Sequence, residues 1–244
     1  MQTYINFGLI DVVGKRYVEN SYMTVENGVI RSVGSMASLT QEQKQGAVDL
    51  SGKTVMPGMF NCHIHALSSP IAAPESLNWE TSGMFALRGL RHLQQQLQSG
   101  VTFVRDMNGR KLAEVDLKNA LNQGLFVGPN YYIARQCLCM TGGHGCNTGR
   151  ECDGAVDCKK AAREQIKGGA DFVKIMATGG VNSDTRPEFS QLDLEEMTAA
   201  INEAHRAGKK TATHAHGKAG IKTAVLAGID SVEHGSYIDD ECID

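Results

Sequence analysis

The stretch Val55-Met56-Pro57-Gly58-Met59-Phe60-Asn61-Cys62-His63-Ile64-His65 constrains this chain more than any other. A Pro-Gly turn launches an apolar run that ends in two histidines one residue apart. Side chains alternate between faces along an extended strand, so His63 and His65 project to one side, where two imidazoles can grip one cation. A His-x-His pair also arises by chance at a solvated strand end, so it gains weight only from company. Three later stretches supply that company: Phe172-Val173-Lys174-Ile175, Thr211-Ala212-Thr213-His214-Ala215-His216 and Ser231-Val232-Glu233-His234. Each is a short apolar or β-branched run with a potential ligand at or near its end.

Up to about Leu50 the chain reads as short strands with tight turns, and Asn27-Gly28 between two β-branched runs marks a hairpin. From Met59 strands alternate with helices. Apolar residues at three- and four-residue intervals predict helices over 80–98, 111–122, 157–167, 192–206 and 218–226. Strands are expected over 101–104 and 131–134. Gly100, Gly169, Gly208 and Gly228 each stand where a helix gives way to a strand, as left-handed C-caps do. Strand, loop, helix, repeated, implies a parallel α/β sheet.

An open doubly wound sheet and a closed (β/α)8 TIM barrel share that unit. The barrel is preferred, because the candidate ligands fall at the C-terminal ends of several different strands. No Gly-x-Gly-x-x-Gly turn follows a strand; Thr178-Gly179-Gly180 and Thr141-Gly142-Gly143-His144-Gly145 do not fit one. About six strand units follow Pro57 where a barrel has eight, so a barrel truncated after its sixth unit is expected. Residues 1–56 are read as the N-terminal part of a small β-sandwich and 57–244 as the barrel.

Composition excludes several classes. The net charge of -3 with mixed signs offers no basic face for nucleic acid. No apolar run reaches the roughly 18 residues that cross a bilayer, and the first residues carry no signal-peptide pattern, so no membrane partner and a cytoplasmic location are expected. Five of the seven cysteines (Cys137, Cys139, Cys146, Cys152 and Cys158) crowd one Gly-rich stretch. The Cys-x-x-Cys spacing of structural zinc sites is absent, so free thiols in and around a loop are expected.

Lys174 is set in an apolar strand, with Phe172 on its own face and Val173 and Ile175 on the other. A buried lysine is costly unless paired or neutralised. Its ammonium has no lone pair for a metal, whereas an amine that has captured carbon dioxide becomes a carbamate anion able to bridge two cations. Taken alone, Lys174 reads more simply as half of a salt bridge.

Taken together, His63-Ile64-His65 after Pro57-Gly58, Val173-Lys174-Ile175-Met176-Ala177-Thr178-Gly179-Gly180-Val181, His214-Ala215-His216-Gly217 and Glu233-His234-Gly235 resemble the amidohydrolase superfamily. The nearest likeness is to its imidazolonepropionase-like branch, with the Xaa-Pro dipeptidases and related zinc carboxypeptidases. Ala204-His205-Arg206-Ala207-Gly208-Lys209 also fits that branch, and the resemblance spans essentially the whole chain. It implies a binuclear zinc centre, or one of another divalent metal: His63 and His65 on one ion, His214 and His234 on the other, carboxylated Lys174 between them. It further implies a hydrolase in which a hydroxide shared by both ions attacks the amide bond of a dipeptide or N-acyl amino acid. Cyclic-amide hydrolysis of the imidazolonepropionase type, or metal binding without turnover, are the alternatives.

Within that resemblance His144 and His216 match positions that polarise the carbonyl or receive a carboxylate, with orientation of a ligand the other reading of His216. Tyr237 and Arg186 are further candidates for substrate contact, set against a structural role and a solvated loop charge. His92 and His205 lie in helices and are read as surface residues. Two departures stand out: Asn61 replaces an aspartate common in the branch, and the branch's acid/base aspartate follows an eighth strand. Asp239, Asp240 and Asp244 come too early to be it. The chain alone is therefore expected to turn over little. The exposed strand edges of an unclosed barrel are expected to pair with another copy, giving a homo-oligomer.

Overall fold

The computed structural model describes residues 1–69, 80–110, 112–181 and 185–244, which divide into two compact units, Met1–Gly58 and Met59–Asp244. In the first, β1 (Gln2–Asp11), β2 (Arg16–Glu26) and β3 (Val29–Ser35) form an antiparallel meander. Two short strands, β4 (Val48–Asp49) and β5 (Thr54–Val55), add in parallel along β1. The β2–β3 turn has Asn27 at φ 52° and Gly28 at φ 75°, the left-handed pair that Asn-Gly adopts with little strain. One short helix, α1 (Gln41–Lys44), starts at a reciprocal Thr40–Gln43 capping box.

The second unit is a strand–helix succession. It runs β6 (Met59–Ile64), α2 (Ser82–Gln98), β7 (Val101–Asp106), α3 (Ala113–Asn122), β8 (Asn130–Ile133), β9 (Leu138–Cys139) and β10 (Arg150–Glu151). It continues with α4 (Gly154–Lys167), β11 (Phe172–Met176), α5 (Leu194–Arg206), β12 (Lys210–Ala215), α6 (Lys218–Leu226), β13 (Ser231–His234) and α7 (Asp240–Ile243). Among the described residues the named strands all pair in parallel, in two sheets of order β6-β7-β8 and β10-β9-β11-β12-β13, with one isolated antiparallel bridge between Thr178 and Ser190. The two adjoin where the Asp171 amide donates to the Ile133 carbonyl at 2.8 Å and Asp171 Oδ2 accepts from the Ile133 amide at 2.8 Å. Among the described residues no ladder joins β13 to β6. The architecture is thus mixed α/β and resembles part of a TIM barrel.

The five predicted helices form, with ends shifted by a few residues. Lys111, the expected start of the second, lies outside the described residues. Gly208 (φ 68°) and Gly228 (φ 88°) take the left-handed conformation just past the ends of α5 and α6, between each helix and the strand that follows it. α5 starts at a capping box in which Asp193 and Glu196 each accept from the other's backbone amide.

Strand alternation divides two sets of apolar contacts. Val173, Ile175 and Ala177 pack with Ala161, Met197, Ile201, Ile221 and their neighbours on α4, α5 and α6. Phe172 turns the other way, against Met107, Ala134 and Ala212. Along that side the rings of Phe60, Phe103, Tyr132 and Phe172 follow one another at 4.9, 5.8 and 5.6 Å, one from each of β6, β7, β8 and β11. Phe172 at one end of this course is buried, whereas Phe60 at the other is exposed.

The cysteine-rich stretch bears free thiols as expected, packed more deeply than its glycines suggest. The sequence places free thiols in and around a loop; all seven are free, but Cys137, Cys139, Cys152 and Cys158 are buried. Cys139 is in β9 and Cys158 in α4, whose Sγ lies 3.3 Å from that of Cys152. A thiol is small and apolar enough to pack as core, a property that spacing rules for ligands do not register.

Candidate metal centre and active site

The predicted histidine ligands sit at or just beside the C-terminal ends of their strands, Lys174 lies mid-strand, and the fold brings them together. The His63 ring lies 5.4 Å from that of His65 and 5.0 Å from that of His234. The His214 ring is 4.6 Å from His234, 4.7 Å from His216 and 4.3 Å from His144. Six imidazoles from β6, β12, β13 and the loop after β9 therefore form one continuous row. Lys174, on β11, is 1% exposed and interacts electrostatically with His65, His144, His214 and His234.

Such a row would repel itself if protonated. Desolvation is the main reason it is not, with the neighbouring cations adding to it: His65 and His234 are pushed down to about 4 and His214 to about 2. His144 and His216 move in the same direction for the same first reason. Desolvation also lowers Lys174 to about 8, against the pull of Glu233. At neutral pH these five rings thus present neutral nitrogens with lone pairs, beside a lysine with an appreciable fraction of free amine.

Hydrogen bonds fix several rings. His214 Nε2–H donates to the Gly179 carbonyl at 3.0 Å. His216 Nδ1 shares a 2.7 Å bond with the Ser236 hydroxyl, and its backbone amide donates to Thr178 Oγ1 at 3.1 Å. His216 Nε2 is buried without any hydrogen-bond partner, an orphan that costs free energy unless something binds there. Ligand atoms of His214, His216 and His234 lie within 4.8 Å of one another. A buried orphan nitrogen among converging neutral imidazoles fits a divalent cation. His216 belongs to this cluster as closely as His214 and His234 do.

The loop carrying His65 is held from below by Asp106, at the end of β7. Its Oδ2 accepts from the Ala66 amide at 3.2 Å and the Tyr131 hydroxyl at 2.5 Å, and Oδ1 from the Asn108 amide at 3.3 Å. The Asn108 backbone in turn hydrogen-bonds the His65 ring. Burial raises the Asp106 carboxyl to about 7 in spite of those hydrogen bonds. His92, read as a surface residue from its helix, is half-buried and donates from Nδ1 to the Ala66 carbonyl at 2.8 Å. It faces the His65 loop rather than solvent.

The candidate substrate contacts are less uniform. His144 is held through its amide, which donates to Gln191 Oε1 at 3.0 Å, and Gly180 makes room for its ring. Arg186 is exposed, 3.8 Å from Glu188, with its guanidinium 5.2 Å from the Phe189 ring centroid. The Tyr237 ring is exposed while its amide donates to the His216 carbonyl at 3.0 Å. His205 is at the surface, bonded to Asp230 at 2.7 Å.

Two residues without a role in the sequence reading, Glu233 and Arg105, lie against the row. Glu233 Oε2 accepts from His63 Nδ1–H at 2.8 Å, and Oε1 from Arg105 Nη2 at 2.7 Å and the Ser231 hydroxyl at 2.6 Å. Desolvation would raise Glu233, but hydrogen bonds from His63 and Ser231 and the charges of Arg105 and Lys174 prevail and hold it at about 2. A signal was available: an arginine and a glutamate inside otherwise apolar strands imply each other.

Comparison with known proteins gives a consistent picture. The sequence profile of the Amidohydrolase family matches residues 54–243. Ochratoxinase of Aspergillus niger is 32% identical over 272 aligned positions, covering 98% of this chain and 55% of that enzyme. A Xaa-Pro dipeptidase crystallised with methionine in its active site superposes with a TM-score of 0.87 at 27% identity, over 100% of this chain and 63% of the other. A prolidase complexed with N-methylphosphonate-L-proline gives 0.88 at 30% identity, over 99% and 62%. The chain spans about half the length of the curated relatives it matches.

Proposed function

The chain belongs to the amidohydrolase family, and from that premise we propose that it hydrolyses the C–N amide bond of a dipeptide or an N-acyl amino acid at a binuclear zinc centre. His63 and His65 would hold one ion and His214 and His234 the other, with Lys174 between them as its carbamate. The observation that carries this reading is the row of converging imidazoles around buried Lys174, in which His216 Nε2 lacks a partner. The amino-acid part of the substrate rests on the dipeptidase and prolidase among its structural neighbours.

The chain's own residues make that centre and aim the substrate. Carbamate formation adds carbon dioxide to the Lys174 amine and releases one proton, so it needs the free base that desolvation favours. It replaces a buried cation by an anion, the charge that two divalent ions require. A bound pair of divalent ions supplies Lewis acidity, which polarises the amide carbonyl and lowers the pKa of water. His144 and His216, held by Gln191 and Ser236, would orient the carbonyl or the carboxylate of the substrate. Tyr237 and Arg186 are the outer contacts of the same substrate.

The test is metal analysis of the purified chain combined with amine release from dipeptides and N-acyl amino acids. About two zinc equivalents with slow, metal-dependent release support the reading. Two equivalents without release on any substrate would make this a metal-binding protein, and no bound metal would sink the centre itself.

A further inference from the structure

Glu233 lies 170 positions from His63 in sequence and touches it across the site. It is 8% exposed, and both its oxygens are engaged: Oε2 by His63 Nδ1–H, Oε1 by Arg105 Nη2 and the Ser231 hydroxyl. Arg105 is itself anchored, its Nε donating 2.7 Å to the Cys62 carbonyl, the residue before His63, and its guanidinium 5.6 Å from the Phe172 ring centroid. The carboxylate is therefore held by β7 and β13 and presented to the histidine of β6.

We propose that Glu233 is the positioning residue of His63: its carboxylate, fixed by Arg105 and Ser231, accepts the hydrogen bond from Nδ1–H, keeps the proton on that nitrogen and leaves Nε2 as the ligand atom. A neutral imidazole has one N–H and one lone pair, so a full-time acceptor at Nδ1 decides which nitrogen can bind a cation. It also fixes the plane of the ring. Outer carboxylates that hold a ligand in this way typically change metal affinity by about 10- to 100-fold. The consequence for binding rests on the metal-centre reading above; the tautomer does not.

Long-range nitrogen–proton spectra of the metal-free wild-type chain test the tautomer without any substitution. The His63 ring is expected as Nδ1–H, and an Nε2–H ring would overturn the proposal. Zinc affinity, read by competition with a chelator, is expected to fall about 10- to 100-fold in Glu233→Ala and less in Glu233→Gln, whose amide oxygen can still accept from Nδ1–H. Equal affinity in wild type and Glu233→Ala would overturn it. Should Glu233→Ala fail to fold, Ser231→Ala removes one donor to Oε1 and is expected to weaken zinc by a smaller factor; an unchanged affinity counts against the proposal. An Nδ1–H ring in wild type that loses this preference in Glu233→Ala, with neither protein binding zinc, supports the orienting role and overturns the metal centre.

Discussion

The hydroxyl of Tyr131 and the carboxylate of Asp106 share a 2.5 Å hydrogen bond in the interior, and that bond underlies the backbone turn that carries His65. Burial makes Asp106 hold a proton to about pH 7, far above its ordinary 3.8. The fold binds that proton more tightly than the unfolded chain does. Its contribution to stability is full below about pH 4 and is lost as pH climbs to about 7. Relative to Asp106→Asn, the wild type is expected to lose up to about 1.4 kcal/mol per pH unit across that window. Urea denaturation from pH 4 to 7 checks this; parallel curves for the two proteins would refute it.

The histidine row acts in the opposite sense. His65 and His234 titrate at about 4 and His214 at about 2 in the fold, below the ordinary 6.5. Between pH 6.5 and 4 the unfolded chain takes up protons that the folded one refuses, so stability from these rings is present above 6.5 and drains away as pH falls. The metal-free wild type is expected to be more acid-labile over that range than a His65→Asn/His214→Asn/His234→Asn variant. Equal pH dependence of their unfolding midpoints would contradict the neutral row.

Lys174 gives a chemical handle. If its amine captures carbon dioxide, zinc uptake by the metal-free chain at pH 8 should rise with added bicarbonate. Lys174→Met should take up fewer equivalents and ignore bicarbonate, yet fold at least as stably, since it removes a buried amine from an apolar strand. Bicarbonate-independent uptake by the wild type would exclude the carbamate.

Gly180 separates substrate handling from metal binding. A Cβ there would stand 2.3 Å from the His144 ring, so Gly180→Ala must push that ring aside. Metal content should stay at the wild-type value while kcat/KM falls about 10- to 100-fold, the scale of an ångström's misplacement. Unchanged kcat/KM would remove His144 from the substrate contacts.

Local pattern carried the elements that repeat. Apolar periodicity and the glycine stops located the helices, and alternation put Lys174 with Phe172 and opposite Val173 and Ile175, because both follow from the geometry of one element. What stayed hidden depended on distant partners. Asp106 looks like any strand-end acid until Tyr131, 25 residues on, closes over it. His92 looks like a helix-surface histidine until the Ala66 carbonyl is found 2.8 Å from its Nδ1. The motif that identifies Glu233-His234 gives the glutamate no task, since its acceptor role needs His63 on another strand. The thiols are free as expected, but their burial was not legible: spacing and a glycine-rich neighbourhood do not tell how deeply a small apolar side chain packs.

The touching sulfurs of Cys152 and Cys158 give the chain a built-in reporter. Together with Cys137 and Cys139 they are sealed from solvent, whereas Cys62, Cys146 and Cys242 are at least partly open. A thiol-specific dye should label three positions on the native chain and seven after denaturation. The four slow sites then time how often the interior opens, with no probe introduced and no substitution made.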